Sequence, residues 1–106
     1  MTPEIPCITD ASFDVEVLQS PLPTVVDFTA EHCPPCRTMA PLLAELSKEF
    51  AGRVRVVALD TTEHRETAVG YGVRMMPTLL RFEDGKVISQ LVGAAPIERL
   101  RAFFAT

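Results

Sequence analysis

The sequence lacks the features of a membrane, nucleic-acid-binding or exported protein. It has no apolar run near the ~20 residues that a membrane span requires. Its 10 basic residues against 14 acidic ones give a net charge of −4, and no basic stripe is present to neutralise phosphates. Residues 1–6 lack the basic and apolar regions of a signal peptide. We therefore expect a cytoplasmic protein that binds neither nucleic acid nor a membrane.

The low cysteine count excludes a disulfide framework. Three cysteines, of which only two lie close together, do not fit the paired spacing of small secreted domains. A chain of 106 residues, 47% of them hydrophobic, can build one packed core without a structural disulfide or metal. It has no internal repeat or linker. We therefore expect residues 1–106 to form a single domain whose cysteines are available for chemistry.

Hydrophobic patterns predict alternating strands and helices. Strands are predicted at residues 24–30, 54–60, 78–83 and 86–92. Helices are predicted at residues 10–19, 35–51 and 61–71 and from Pro96 onward, with Thr9 or Asp10 as the N-cap of the first. Strands separated by a helix should be parallel, whereas the Asp84-Gly85 turn favours an antiparallel hairpin. The pattern indicates an α/β fold, a central mixed β-sheet flanked by helices on both faces.

The segment Cys33-Pro34-Pro35-Cys36 carries the strongest chemical signal. At the start of a helix, two cysteines with this spacing can close a disulfide with little backbone movement. Free backbone N–H groups and the helix dipole favour a thiolate on Cys33, which makes Cys33 the expected nucleophile. Cys36, further into the helix and less exposed, would then attack Cys33 and release the reduced partner.

A zinc site is the first alternative, because the same cysteine spacing supplies half of many zinc sites. Zinc needs four ligands, and only Cys7, His32 and His64 could complete the set. Since two of these lie far away in sequence, we expect no metal. A purely structural disulfide across so small a loop would stabilise little. Cys7, in a predicted first strand, is expected to be a small buried hydrophobe; the alternative is that it serves regulation.

Asp27 is the polar residue that does not fit its strand. It lies between Val26 and Phe28, where a central strand should be apolar. Burial would raise its pKa, so that it could accept or return the Cys36 proton near neutral pH through water. The alternative is an aspartate at a strand end that faces solvent.

Several separated segments resemble the thioredoxin family. They are residues 25–37, residues 39–41, residues 71–74, residues 76–79, residues 82–86 and residues 92–94. The resemblance covers nearly everything after about residue 22, and the segments follow in the family's order. It implies the thioredoxin fold and a thiol-disulfide oxidoreductase that reduces disulfides in partner proteins through Cys33 and Cys36.

The resemblance also implies roles for site residues. Asp27 would be the buried carboxylate that exchanges a proton with Cys36, and Pro77 would be a cis-proline opposite the cysteine pair. The backbone of Met76 would pair with an extended substrate segment. The residues implied to line the docking surface are His32, Pro34, Pro35, Met75, Met76, Val92, Gly93 and Ala94.

By the same resemblance the protein needs no bound cofactor. Electrons would come from a separate thioredoxin reductase, an NADPH-dependent flavoprotein, and would pass to disulfide-bearing protein substrates. We also expect a monomer.

Departures from the family pattern bear on the direction of electron flow. The chain has no tryptophan. The family usually has a tryptophan at the position of His32 and often has one at the position of Thr29. Pro34 replaces a glycine and Ala58 a lysine. A protonated His32 would make the protein more oxidising, whereas the effect of Pro34 has no derivable sign. Two alternatives stay open: a more oxidising or partner-restricted oxidase or isomerase, and a non-catalytic binding module.

Overall fold

The computed structural model describes residues 5–106, so that residues 1–4 of the predicted single domain lie outside the described range. The strands are β1 (Cys7–Ile8), β2 (Thr24–Thr29), β3 (Arg55–Asp60), β4 (Thr78–Glu83) and β5 (Lys86–Val92). The helices are α1 (Pro34–Glu49), α2 (Glu66–Gly70) and α3 (Ile97–Ala105), and a π-helical turn at Asp14–Leu18 precedes β2. No helix in the described range is long and apolar enough to cross a membrane.

The strands form one mixed sheet in the order β1-β3-β2-β4-β5. Strands β1, β3 and β2 run parallel, as expected for strands joined through helices, and β4 runs antiparallel to both β2 and β5. Asp84 and Gly85 both adopt a positive φ, of 52° and 77°, which is the conformation of a tight hairpin turn. The predicted mixed sheet and its β4–β5 hairpin are confirmed.

Apolar side chains alternate between the two faces of the sheet and build a core on each. On one face, Val25 and Leu79 pack against residues of α1 and α3. On the other face, Val26 and Leu80 pack with residues of the π-helical turn and α2. The prediction of helices on both faces is confirmed. By the same alternation Asp27, two residues after Val25, lies on the face that α1 covers.

The first helical segment is shorter than predicted, and its N-terminal end is capped differently. Its assigned turn is Asp14–Leu18, and residues 10–12 form the turn that leads into it. Thr9 and Ser12 bond reciprocally across this turn, because the backbone N–H of each donates to the other's hydroxyl, at 2.9 and 3.0 Å. Of the two predicted caps, Thr9 therefore lies at this end, and the prediction for Asp10 is wrong.

Asp10 instead caps α2, which is far away in sequence. Its carboxylate accepts hydrogen bonds from the backbone N–H groups of Glu66 at 3.1 Å and Thr67 at 2.9 Å. The Thr67 hydroxyl also donates to it at 2.6 Å. The helix predicted at 61–71 is correspondingly shorter, because the hydroxyl of Thr61 bonds to the end of β2 rather than to its own segment.

Cys7 lies in the predicted first strand, but the expectation that it is buried is wrong. Strand β1 is an edge strand of two residues, with Cys7 opposite Ala58 of β3. Alternation along the strand turns Ile8 into the core, where it is 5% exposed. Cys7 therefore points to the opposite face at the edge of the sheet and is exposed.

Candidate active site

Helix α1 begins directly after Cys33 and brings the two cysteines together. Cys33 is the N-cap residue, and Pro34 and Pro35 occupy the first helical positions, where a missing N–H breaks no helical hydrogen bond. Cys33 and Cys36 form a disulfide with their Cα atoms 5.3 Å apart. Cys36 is only 7% exposed, whereas Cys33 is half-buried. The predicted difference in exposure between the two cysteines is confirmed.

Two threonines hold the segment that leads into Cys33. The Thr61 hydroxyl donates to the carbonyl oxygen of Thr29 at 2.9 Å, and the Thr61 backbone N–H donates to the same oxygen at 2.8 Å. The Glu31 N–H donates to the Thr62 hydroxyl oxygen at 3.0 Å. His32 then takes a left-handed φ of 56° and is exposed. The sequence interpretation missed both threonines, because their partners lie about 30 residues earlier and leave no local pattern.

The segment around Pro77 lies against the disulfide. The Met76–Pro77 peptide bond is cis, and the carbonyl oxygen of Met76 is 3.7 Å from the Cys33 Sγ. The Gly93 N–H donates to the Pro77 carbonyl oxygen at 2.8 Å. These two contacts join the loop at residues 32–36 with the segments at 75–77 and 92–94.

Exposed apolar side chains lie on these joined segments. Met75 is 63% exposed and Val92 is 49% exposed, and the β4–β5 register places Val92 opposite Thr78. The Thr78 hydroxyl donates to the Met75 carbonyl oxygen at 2.5 Å, which fixes the backbone beneath the methionine. Among the other implied docking residues, His32, Pro34, Pro35 and Ala94 are exposed, and Met76 and Gly93 are half-buried.

Asp27 is buried in the middle of the sheet. The register places it between Ala58 of β3 and Leu79 of β4, and it is 8% exposed. Its Oδ1 atom is buried and has no hydrogen-bond partner among the described residues. Burial raises the pKa of Asp27 to about 7. The alternative of a strand-end aspartate that faces solvent is therefore wrong, and the group can exchange a proton near neutral pH.

A cleft of about 380 Å³ opens beside Asp27 and Cys36, and both residues line it. Its other walls are small or apolar, with Thr29 as the exception. They are formed by Ile5, Thr29, Ala40, Pro41, Ala44 and Ala58. The carboxyl group and the Cys36 side chain therefore share one opening toward solvent.

The residues that could have completed a zinc site are not gathered around the cysteine pair. Within residues 5–106, no group of three or more His, Cys, Asp or Glu side chains is placed to hold a metal ion.

Comparison with known proteins identifies one family along almost the whole chain. The sequence model of the family described as Thioredoxin matches residues 4–106. The chain is 50% identical to Thioredoxin C-2 of Corynebacterium nephridii over 95 residues, which cover 90% of this chain and 88% of that protein. It is 47% identical to a thioredoxin of Synechocystis sp. over 91 residues, which cover 86% and 85% of the two chains. It is 42% identical to a thioredoxin of Pseudomonas aeruginosa over 103 residues, which cover 97% and 95%.

The family match at residues 4–106 includes the Cys33–Cys36 pair, which lies at the start of α1, where a thiolate and therefore thiol-disulfide exchange are favoured. The chain belongs to the thioredoxin family and is a protein thiol-disulfide oxidoreductase.

Proposed function

We propose that the protein reduces disulfides in partner proteins, with Cys33 as the nucleophile and Cys36 as the resolving thiol. The unequal exposure of the two residues carries this assignment, because a partner can reach half-buried Cys33 but not Cys36, which is 7% exposed. The Cys33 thiolate attacks a partner disulfide, forms a mixed disulfide and releases one partner thiolate. The Cys36 thiolate then attacks the Cys33 Sγ and releases the second. Two electrons pass to the partner, and the Cys33–Cys36 disulfide is the product.

In this proposal Asp27 handles the proton of Cys36. Cys36 must become a thiolate before it can attack, and the ionised Asp27 carboxylate accepts that proton, through water in the cleft that both residues line. The pKa of about 7 supports the role, since a group that titrates near neutral pH can both take up and return a proton.

The substrate segment binds in an extended form across the surface around Cys33. The backbone of Met76, beside cis-Pro77, pairs with it, and main-chain hydrogen bonds of this kind do not depend on the partner's sequence. The exposed side chains of Met75 and Val92 support an apolar docking surface. The residues proposed to line it are His32, Pro34, Pro35, Met75, Met76, Val92, Gly93 and Ala94.

Proteins of this family carry no cofactor of their own. We propose that a separate thioredoxin reductase, an NADPH-dependent flavoprotein, returns the disulfide to the dithiol. We also propose that the chain acts as a monomer in the cytoplasm and that residues 1–106 form one domain.

Insulin reduction tests the two cysteine roles. The experiment should use a Cys7→Ser background, because exposed Cys7 could form mixed disulfides of its own. We expect Cys33→Ser and Cys36→Ser both to abolish turnover, since exchange needs two thiols. Only Cys36→Ser should accumulate a mixed disulfide with the substrate. Equal trapping by Cys33→Ser would contradict the assigned roles, and reduction that survives both substitutions would contradict the site itself.

Equilibration with glutathione tests the direction of electron flow. The relatives reported above are named thioredoxins, which does not favour the oxidase or isomerase alternative. We expect a reduction potential clearly below that of glutathione, at which the dithiol is a net donor to partner disulfides. A potential equal to that of glutathione or above it would overturn the reductant proposal.

A further inference from the structure

The cleft beside Asp27 has the size and composition of a small-molecule site. Its volume of about 380 Å³ lies within the roughly 300–1,000 Å³ range of ligand pockets. Ala40 and Pro41 are exposed at its outer part, Ala44 and Ala58 are half-buried, and Asp27 is buried. The cleft therefore offers a ligand a shallow apolar wall that ends at a single carboxyl group.

One oxygen atom of that carboxyl group lacks a partner among the described residues. The side chain of Asp27 is more than nine-tenths buried and lines the cleft, and its Oδ1 has no hydrogen-bond partner among the described residues. No lysine, arginine or histidine is among the described residues that line the cleft, and Cys36, which also lines it, is disulfide-bonded and carries no proton. A ligand that supplies N–H donors in this poorly solvated position gains more than it would at an exposed carboxylate.

We propose that the cleft binds a small primary alkylamine as its ammonium ion. The ammonium group donates to the Asp27 carboxylate, and the alkyl chain packs along Ala40, Ala44 and Ala58. The charge of the ligand complements the only acid among the described residues that line the cleft. The methyl side chains of the three alanines leave room that longer side chains would fill, which suits a short unbranched chain.

A regulatory consequence follows, and it rests on the proposed function of Asp27. A carboxylate held by an ammonium group is a weaker base for the Cys36 proton, so a bound amine slows the release of the mixed disulfide. The attack by Cys33 does not use this carboxylate and keeps its rate. Amine binding itself depends on neither catalytic role.

Titration of the oxidised protein with n-butylamine tests the binding, and the NMR signals of the backbone amides are the readout. At about pH 8 the amine is protonated, as a lysine side chain with a pKa of about 10.4 would be, and most of Asp27 is ionised. We expect saturable shifts at Asp27, Ala40, Ala44 and Ala58. The neutral isostere 1-butanol should bind at least about tenfold more weakly, because it lacks the charge.

Two substitutions locate the site, and a third controls for them. Asp27→Asn removes the charge at similar volume and should weaken butylamine binding at least about tenfold. Ala44→Met fills the cleft without touching the carboxyl group and should abolish the saturable shifts. Ala102→Met is the matched control, since Ala102 is an exposed helical alanine that does not line the cleft, and it should leave the affinity unchanged. Circular dichroism verifies that each variant is folded.

Binding of 1-butanol as tight as that of butylamine, unchanged affinity in folded Asp27→Asn and Ala44→Met, or shifts that do not saturate would each overturn the inference. Cysteine-dependent insulin reduction without amine binding would overturn it and leave the proposed function intact. Amine binding in a protein that reduces no disulfide would support it and overturn the proposed function.

Discussion

At the residue scale, the ionisation of Asp27 should control the pH dependence of the resolving step. The carboxylate can accept the Cys36 proton only when it is ionised, and burial raises its pKa to about 7. We expect the rate of mixed-disulfide release, measured in single-turnover stopped flow, to rise with pH through about 7. In Asp27→Asn the release should be slower by about tenfold or more at neutral pH.

The matched control for this measurement is Asp14→Asn, because Asp14 is an exposed aspartate that does not line the cleft. It should reproduce the wild-type rate and profile. If Asp27→Asn also kept the rise through about pH 7, Asp27 would not be the base for Cys36.

A second residue-scale prediction concerns Thr62 and the loop that leads into Cys33. Thr62→Val removes the hydroxyl that accepts the Glu31 N–H at 3.0 Å. We expect the Glu31 amide to exchange with deuterium faster, by about threefold or more, since one hydrogen bond contributes about 1 kcal/mol. Catalytic efficiency in insulin reduction should fall, because the backbone before Cys33 is less well held. Thr62→Ser, which keeps the acceptor, should restore both values, and equal behaviour of the two variants would contradict this role.

The site residues differ in how far the sequence reveals them. Cys33 and Cys36 are recognisable because their spacing at a helix start is local, and Asp27 because it interrupts an apolar strand. Thr62 has no such signal, since its contact with Glu31 spans 31 residues. The exposure of Cys7 could not be predicted from the sequence either, because it depends on β1 being an edge strand. Residues with a local sequence signal are therefore predictable here, whereas side-chain contacts between distant segments are not.

At the element scale, the same distinction separates the correct predictions from the wrong ones. The β4–β5 hairpin follows from Asp84 and Gly85, which alone supply the required positive φ angles. The extent of α2 does not follow from its own residues. It begins at Glu66 because Asp10 accepts the free N–H groups there, and Thr61 is held by β2 instead. Both contacts form only when the chain has folded.

The cap on α2 gives the element-scale prediction. A helix of five residues is not stable alone, so its N-terminus depends on Asp10. Burial would raise the pKa of Asp10, but hydrogen bonds from Thr67 and Glu66 outweigh it and hold the pKa below the usual value. We expect Asp10→Ala to lower the free energy of unfolding by about 1–2 kcal/mol in urea denaturation.

Asp10→Asn keeps an acceptor oxygen and should cost less than Asp10→Ala. Because the folded-state pKa is lowered, the carboxylate contributes its stability above the unfolded-state pKa and loses it as the pH falls through the folded-state pKa. The difference between wild type and Asp10→Ala should therefore shrink in acid. A difference that is independent of pH would show that the cap does not act through the charged carboxylate.

At the scale of the whole molecule, the two faces of the sheet differ in composition. The face covered by the π-helical turn and α2 is an apolar core, with Val26 and Phe28 fully buried. The face covered by α1 carries apolar packing too, but it also contains the disulfide, the cleft and the Asp27 Oδ1 atom, which has no hydrogen-bond partner among the described residues. Burying an acid without a partner opposes folding, so Asp27 lowers the stability of the fold on the face where we propose that it handles the Cys36 proton.

This cost should appear as a dependence of global stability on pH. The pKa of Asp27 rises from 3.8 to about 7 on folding, so its contribution is fully present below the unfolded-state pKa and is lost as the pH rises through the folded-state pKa. The loss amounts to about 4 kcal/mol between pH 4 and pH 8. Asp27→Asn does not titrate and should lack it. Urea denaturation of both oxidised proteins should therefore show the stability of Asp27→Asn relative to wild type rising across this range, because contributions from all other carboxylates cancel in the difference. A constant difference would mean that Asp27 is ionised at its ordinary pKa in the folded protein, and its role as the proton acceptor for Cys36 would fail with it.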